Sequence, residues 1–356
     1  MEKDIGRVAD AVCGFGSLTE YSLSWDGVCL SQLENYQAFL RPVLTKINHR
    51  IVKLSLDIPT DSLRFLANIS MPRLQHFELG LCTLKLERRE INEIFDHLIV
   101  FINNLDRTLV TLSISSRRSS LNLDLARAFT YLGTFPRLRR FSLTIPYDGR
   151  HLSSLPKLAQ FLEKHHDTLY DLQLSTGPLS PANSPTPIAF KYWISDTLAA
   201  TRTPYPCLST VKLALRPLRA DLTPVIQFLA QHAGQLEHLN FTDRALKYRE
   251  LEAILHGLGA LPRLKHFGVK LSCLDSAFLN LLALRLPQLT SLELTFGEVK
   301  AFAAPRDFAG DTADRVLYEL VSILGPHILF PGLTCDPGAI YDRNPRKQGR
   351  LRSMGA

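Results

Sequence analysis

Leu74-Gln-His-Phe77-Glu-Leu79-Gly-Leu-Cys82-Thr-Leu84 carries the signal that decides the fold. An aliphatic residue is followed by two variable residues, an apolar one, a variable one and another apolar one. Phe77 and Leu79 stand two apart, so on a strand both side chains face the same side. Leu74 turns the chain into that strand. Working outward, the same pattern recurs at Leu18-Tyr21-Leu23, Ile51-Leu54-Leu56, Leu109-Leu112-Ile114 and Leu138-Phe141-Leu143. It continues at Leu169-Leu172-Leu174, Leu208-Val211-Leu213, Leu236-Leu239-Phe241, Leu264-Phe267-Val269 and Leu289-Leu292-Leu294. The ten copies are spaced 23 to 39 residues apart, about 30 on average.

Between the copies lie segments of helical period, such as Leu125-Phe129-Leu132, Leu158-Phe161-Leu162, Val225-Phe228-Leu229 and Leu251-Ile254-Leu255-Leu258. Strand, helix and strand at this spacing predict parallel strands joined by helical crossovers. Each unit has one apolar strand face and one apolar helix stripe, and stacking neighbours buries both. The expected fold is an α/β solenoid, a horseshoe with a parallel concave sheet of about ten strands and outer helices. It explains why 64 of the 356 residues are leucine. The copies have two flavours. Pro72-Arg-Leu74, Pro136-Arg-Leu138, Pro206-Cys-Leu208 and Pro262-Arg-Leu264 are introduced by proline, whereas those at Ile51, Leu109, Leu169 and Leu236 follow a longer helix. From Ile51 to Leu264 the flavours alternate, which predicts a paired unit of about 60 residues. A doubly wound nucleotide-binding sheet needs a Gly-rich turn after a strand. Gly14-Phe-Gly16-Ser-Leu18-Thr lacks the third glycine and precedes the first strand motif.

Four segments follow: an N-terminal helical cap at 1–15, the solenoid at 16–300 with a Pro/Ser-rich loop at 175–187, a C-terminal cap at 301–340 and a basic disordered tail at 341–356. The cap is expected to hold an amphipathic helix over Asp311 to Leu324. The loop carries Ser180-Pro, Ser184-Pro and Thr186-Pro pairs, read first as a surface insertion and second as phosphorylation sites.

Hydrophobic residues make up 46% of the chain and charged residues 21%, which excludes global disorder. Met1-Glu-Lys-Asp-Ile has no apolar core for a signal peptide. The apolar run at Phe278–Leu284 is interrupted by Asn280 and falls far short of the roughly 20 residues that cross a bilayer. Cys13, Cys29, Cys82, Cys207, Cys273 and Cys335 are scattered without metal or disulfide spacing, so an intracellular location, cytoplasmic or nuclear, is expected. Of the net charge of +7, the stretch 342–356 supplies +4. That tail is the basis of an alternative reading, nucleic-acid or acidic-surface binding.

In such a horseshoe the third and fifth residues of each copy face the concave side. Those of charged or imidazole type are Lys53, His76, Glu78, Arg140, Asp171, Lys212, His238, His266 and Glu293, with Glu20 outermost; they form the candidate binding surface. The face is polar, near neutral and poor in aromatics, unlike a nucleic-acid groove, which needs cations along phosphates and rings for stacking. His238 and His266 hold the same position on adjacent copies, so their rings are placed to meet. A metal site needs a third ligand, and none has a suitable position. His165-His166-Asp167 sits where a helix ends, and histidine there favours the helix C-terminus. No HExxH, GxSxG or P-loop pattern exists, so neither an enzyme nor a cofactor is expected.

These residues resemble an irregular leucine-rich repeat protein. Cys82 stands where that family carries Asn or Cys, but Pro59, Arg117, Pro146, Arg216 and Arg244 occupy the same place in other copies. The stretch from Leu155 through His166-Asp-Thr168-Leu169 to Leu174 resembles the repeat region of fungal F-box proteins. That resemblance implies a non-catalytic protein-binding scaffold, the target-recognition region of an F-box-like ubiquitin-ligase adaptor, with ligase subunits among its partners. The F-box itself is not expected here. Only Met1 to Ser17 precede the first copy, too short a stretch for the three helices of an F-box. Asn92-Glu-Ile94-Phe95-Asp-His-Leu98, a faint echo of one, falls where a repeat helix is needed.

Overall fold

The structure, a computed structural model, describes residues 7, 10–12, 14–24, 33–83, 87–117, 120, 122–177, 192–218, 221–299 and 329–335. One open sheet of parallel strands runs in strict chain order. Its members are β1 (Glu20–Ser24), β2 (Lys53–Pro59), β3 (His76–Cys82), β4 (Thr111–Ser116), β5 (Arg140–Ile145) and β6 (Asp171–Thr176). They continue as β7 (Thr210–Ala214), β8 (His238–Thr242), β9 (His266–Leu274), β10 (Ser291–Val299) and β11 (Leu329–Cys335). Each of the first ten begins at the third residue of its sequence motif. The fold is an α/β leucine-rich-repeat solenoid.

The crossovers are α1 (Leu33–Ile47), α2 (Arg88–Asn103), α3 (Leu125–Tyr131), α4 (Leu155–Glu163), α5 (Trp193–Ala200), α6 (Thr223–His232), α7 (Tyr248–Leu258) and α8 (Ser276–Arg285). Between β2 and β3 the chain forms a 3-10 helix instead, Thr60–Asn68. That crossover belongs to the shortest interval between copies, Ile51 to Leu74, which leaves little room for a longer helix. Asn92 to Leu98 lies within α2, a repeat helix.

The motif's apolar positions build the core. Its first residue is buried in every copy from Ile51 to Leu289, and so are the two inward residues of each strand from β2 to β10. Each such side chain contributes roughly 1.5–3 kcal/mol on burial. Phe129, Phe141 and Phe161 interlock α3, β5 and α4, with ring centroids 5.1 to 6.0 Å apart.

Two buried histidines lock neighbouring units together. His165 Nδ1 donates to Phe161 O at 2.8 Å, and its Nε2 accepts from Phe135 N at 3.0 Å. His232 does the same with Phe228 O at 2.6 Å and Tyr205 N at 3.0 Å. Phe135 and Tyr205 each precede the proline of the previous copy, so each clasp ties a proline-introduced copy to its successor. At the corresponding places after Leu74 and Leu264 stand Leu105 and Arg285. Histidine at this helix end thus acts as a neutral hydrogen-bonding group, not as a cation on the helix dipole. Burial pushes the pKa of His165 down to about 4.

Pro59, Arg117, Pro146, Arg216 and Arg244 leave no asparagine ladder at their positions, and other side chains bridge the units piecemeal. Asp243, in the left-handed region at φ 69°, accepts from Leu215 N at 2.8 Å, Arg216 N at 3.0 Å and Thr176 Oγ1 at 2.8 Å. Ser120 Oγ accepts from Thr83 N at 3.0 Å, and Ser120 O accepts from His151 Nε2 at 2.7 Å.

The eleventh strand lies inside the segment expected as the C-terminal cap. It pairs with β10 through a bulge: Leu329 lies opposite Ser291 and Gly332 opposite Glu293. Two residues, Phe330 and Pro331, thus face one, Leu292. The helix expected over Asp311 to Leu324, the basic tail, Ser180, Ser184, Thr186 and the first six residues lie outside the described residues.

Candidate functional site

The parallel register aligns the third-position residues into one row across the helix-free face: Glu20, Lys53, His76, Thr111, Arg140, Asp171, Thr210, His238, His266 and Ser291. The fifth positions form a second row: Ser22, Ser55, Glu78, Ser113, Ser142, Gln173, Lys212, Asn240, Gly268 and Glu293. All nine candidate residues therefore share one face, in three groups.

The first group centres on β2 to β4. Lys53 Nζ lies 3.2 Å from Glu78 Oε1, and His76 Nδ1 lies 2.9 Å from Thr111 Oγ1. The His76 pKa is lowered, first by partial burial and then by the cations of Lys53 and Arg140.

Asp171 anchors the second group. It is only 9% exposed, and both carboxylate oxygens accept from Gln173 Nε2 at 3.2 Å. Burial raises its pKa; the Gln173 bond and the charges of Arg140 and Lys212 oppose that shift. Arg140 and Lys212 belong to the strands on either side of it.

The third group holds the most developed geometry. His238 and His266 stack with centroids 4.1 Å apart and planes within 4°. The His238 pKa is lowered by burial first and by the neighbouring imidazole second. Asn240 Nδ2 donates to Glu293 Oε2 at 3.3 Å, although β9 runs between them. It reaches over Gly268, where a β-carbon would come within 2.5 Å of Asn240 Nδ2. Together with Gln173, Thr210, Lys212 and Ser291 these residues line an open pocket of about 290 Å³. It offers donors and acceptors of both signs on a rigid sheet.

Asn240, Gly268, Gln173 and Ser291 complete this pocket without being charged or imidazole-bearing; the signal that finds them is their place at the third (Ser291) or fifth position of the motif. A second glycine bridge escaped the sequence reading altogether. Asp57 on β2 reaches past Gly80 on β3 to Arg117, with Oδ2 to Nη2 at 2.6 Å.

The His165-His166-Asp167 run does not converge. His165 faces the core, and His166 Nε2 lies 3.0 Å from Asp167 Oδ1 near the surface. Among the described residues no group of three or more His, Cys, Asp or Glu side chains is placed to hold a metal ion. Among the described residues Cys82, Cys207 and Cys273 form no disulfide. No helix among the described residues is long and apolar enough to cross a membrane.

No protein-family model matches the chain, and no curated protein sequence matches it. Solved structures do. A leucine-rich repeat-containing protein, LegL7 from Legionella pneumophila, aligns at 14% identity with a TM-score of 0.49, covering 91% of this chain and 96% of that one. A complex of Rad7 and Elc1 in yeast aligns at 15% identity with a TM-score of 0.42, covering 88% of this chain and 89% of that one.

Proposed function

We propose that the chain is a non-catalytic protein-binding scaffold that receives its partner on the concave rows. The observation that carries this reading is the register itself: ten charged or imidazole side chains, Glu20 among them, held in two aligned rows. A rigid sheet presents them without the ordering cost that a flexible loop pays on binding. Lys212, His238, His266, Asn240 and Glu293, around the pocket, are its centre, because they combine a cavity, imidazole faces and both charge signs. Lys53, His76, Glu78, Arg140 and Asp171 extend the surface toward β2.

In a narrower form the scaffold is the target-recognition region of an F-box-like ubiquitin-ligase adaptor. The support for this is the resemblance of Leu155 to Leu174 to the repeats of fungal F-box proteins. Affinity purification of the chain from its native cell, with identification of the retained proteins, tests both forms. Ligase subunits among them are the expected result. Their consistent absence, with other partners retained, overturns the narrower form and leaves the scaffold; failure to retain any protein overturns both.

A further inference from the structure

A second cavity lies apart from the concave rows, at the edge where the chain enters β5 to β7. It measures about 620 Å³ and is lined by Pro136, Arg137, Arg139, Asp167, Tyr170 and Cys207 among others. Its position follows from the backbone: Tyr170 N donates to Arg139 O at 2.8 Å, which sets the two residues side by side on neighbouring strand entrances. Arg137 and Arg139 are exposed, and neither guanidinium has a hydrogen bond or ion pair among the described residues. Arg73 and Arg107 occupy the same edge before β3 and β4, exposed and likewise without such a partner among the described residues. Elsewhere in the fold arginines do find carboxylates: half-buried Arg127 lies 2.7 Å from Asp96 Oδ1, and exposed Arg64 lies 3.8 Å from Glu93 Oε1.

We propose that this edge docks an acidic peptide segment of a partner protein, one Asp or Glu carboxylate meeting Arg137 and Arg139 and its backbone lying against Tyr170. Charge complementarity selects the occupant. Two guanidiniums against the one carboxylate of Asp167 leave the cavity with a single net positive charge, which one carboxylate balances. A phosphate dianion would bring its second charge against Asp167. Guanidiniums bind carboxylates through two parallel N–H donors, and Arg and Tyr are the side chains that dominate interface energetics. Tyr170, 39% exposed, is the one aromatic ring lining the cavity, whereas a single strand of RNA needs a succession of rings to stack on.

Fluorescence anisotropy of the full chain with a fluorescein-labelled Glu-rich peptide tests the proposal, beside a Gln-rich peptide, a phosphoserine peptide and a single-stranded RNA of equal length. The Glu-rich peptide is expected to bind and the Gln-rich one not. The double variant R137A/R139A weakens binding about tenfold, because electrostatic pairing is lost from a partly enclosed site. R263A, on the same edge beyond the cavity, and H238A, on the concave face, leave it unchanged. Site-resolved alkylation of Cys207 slows in the presence of the Glu-rich peptide. Absent binding, equal binding of the Gln-rich peptide, indifference to the double variant, or tighter binding of the phosphopeptide or the RNA each overturns the proposal.

Discussion

Asn240 and Glu293 sit on strands two apart yet share a hydrogen bond of 3.3 Å across the bare backbone of Gly268. Adjacent strands are about 4.8 Å apart, so second neighbours touch only where the strand between them lacks a side chain. Asp57 and Arg117 repeat the device over Gly80. Glycine therefore shapes the polar face as much as the charged residues do, and Gly268 fixes the floor of the pocket beside the histidine pair.

Replacing Gly268 by alanine is expected to separate pocket shape from stability. The new β-carbon displaces the Asn240 side chain, a flexible neighbour and not backbone, while alanine lowers the entropy of the unfolded chain. Thermal unfolding should shift by less than about 1 kcal/mol in stability, and partner affinity should fall. A loss above about 3 kcal/mol would mean that Gly268 supports the sheet rather than the pocket.

His165→Ala tests the clasp. The substitution strips the acceptor from a buried N–H at Phe135 and removes a ring packed 4.6 Å from Phe161 and 5.6 Å from Phe135. An orphaned buried donor costs about 1–3 kcal/mol before the lost packing is added. Urea unfolding should show a loss of roughly 2–4 kcal/mol. His166→Ala, at the neighbouring position, should stay within about 0.5 kcal/mol. Equal effects of the two variants would remove the clasp from the account.

Stability should also depend on pH in a definite direction. Burial holds His151 and His165 at about 4 and lowers His232, against an ordinary value of 6.5. Between those limits the unfolded chain binds more protons than the folded one, so stability is full above pH 6.5 and falls as pH drops toward 4. His151 and His165 each account for roughly 3 kcal/mol of that fall. Asp171, whose pKa burial raises, works in the opposite sense at the acid end. Urea midpoints at about pH 7 and about pH 5 should differ, and the difference should shrink in His165→Gln. A midpoint that rises on acidification would contradict the buried neutral histidines.

Much of this was legible in the chain and some was not, for identifiable reasons. A strand pattern of period two that returns about every 30 residues is a strong signal, so the first ten strands begin where the motif places them. The eleventh hides because Phe330-Pro331 bulges opposite Leu292 and breaks the period. The two rows follow from alternation and equal motif positions, and the Asn240–Gly268–Glu293 bridge lies within the second row; the bridge from Asp57 past Gly80 to Arg117 lies beyond the fifth position and emerges only from the paired strands. His165 stood out in the sequence for its histidine neighbour. Its partner, Phe135 N, belongs to another copy of the motif, beyond any local pattern.

The central claim is that the concave rows, not the outer helices, hold a protein. Its most direct measurement is the amount of partner retained on immobilised chain by a concave charge-reversed variant, K212E/E293K, beside an outer-helix variant, E252K. Both variants must first match the unaltered chain in thermal unfolding. K212E/E293K is expected to lose most of the retained partner and E252K none. Full retention by K212E/E293K, or loss confined to E252K, would contradict that claim.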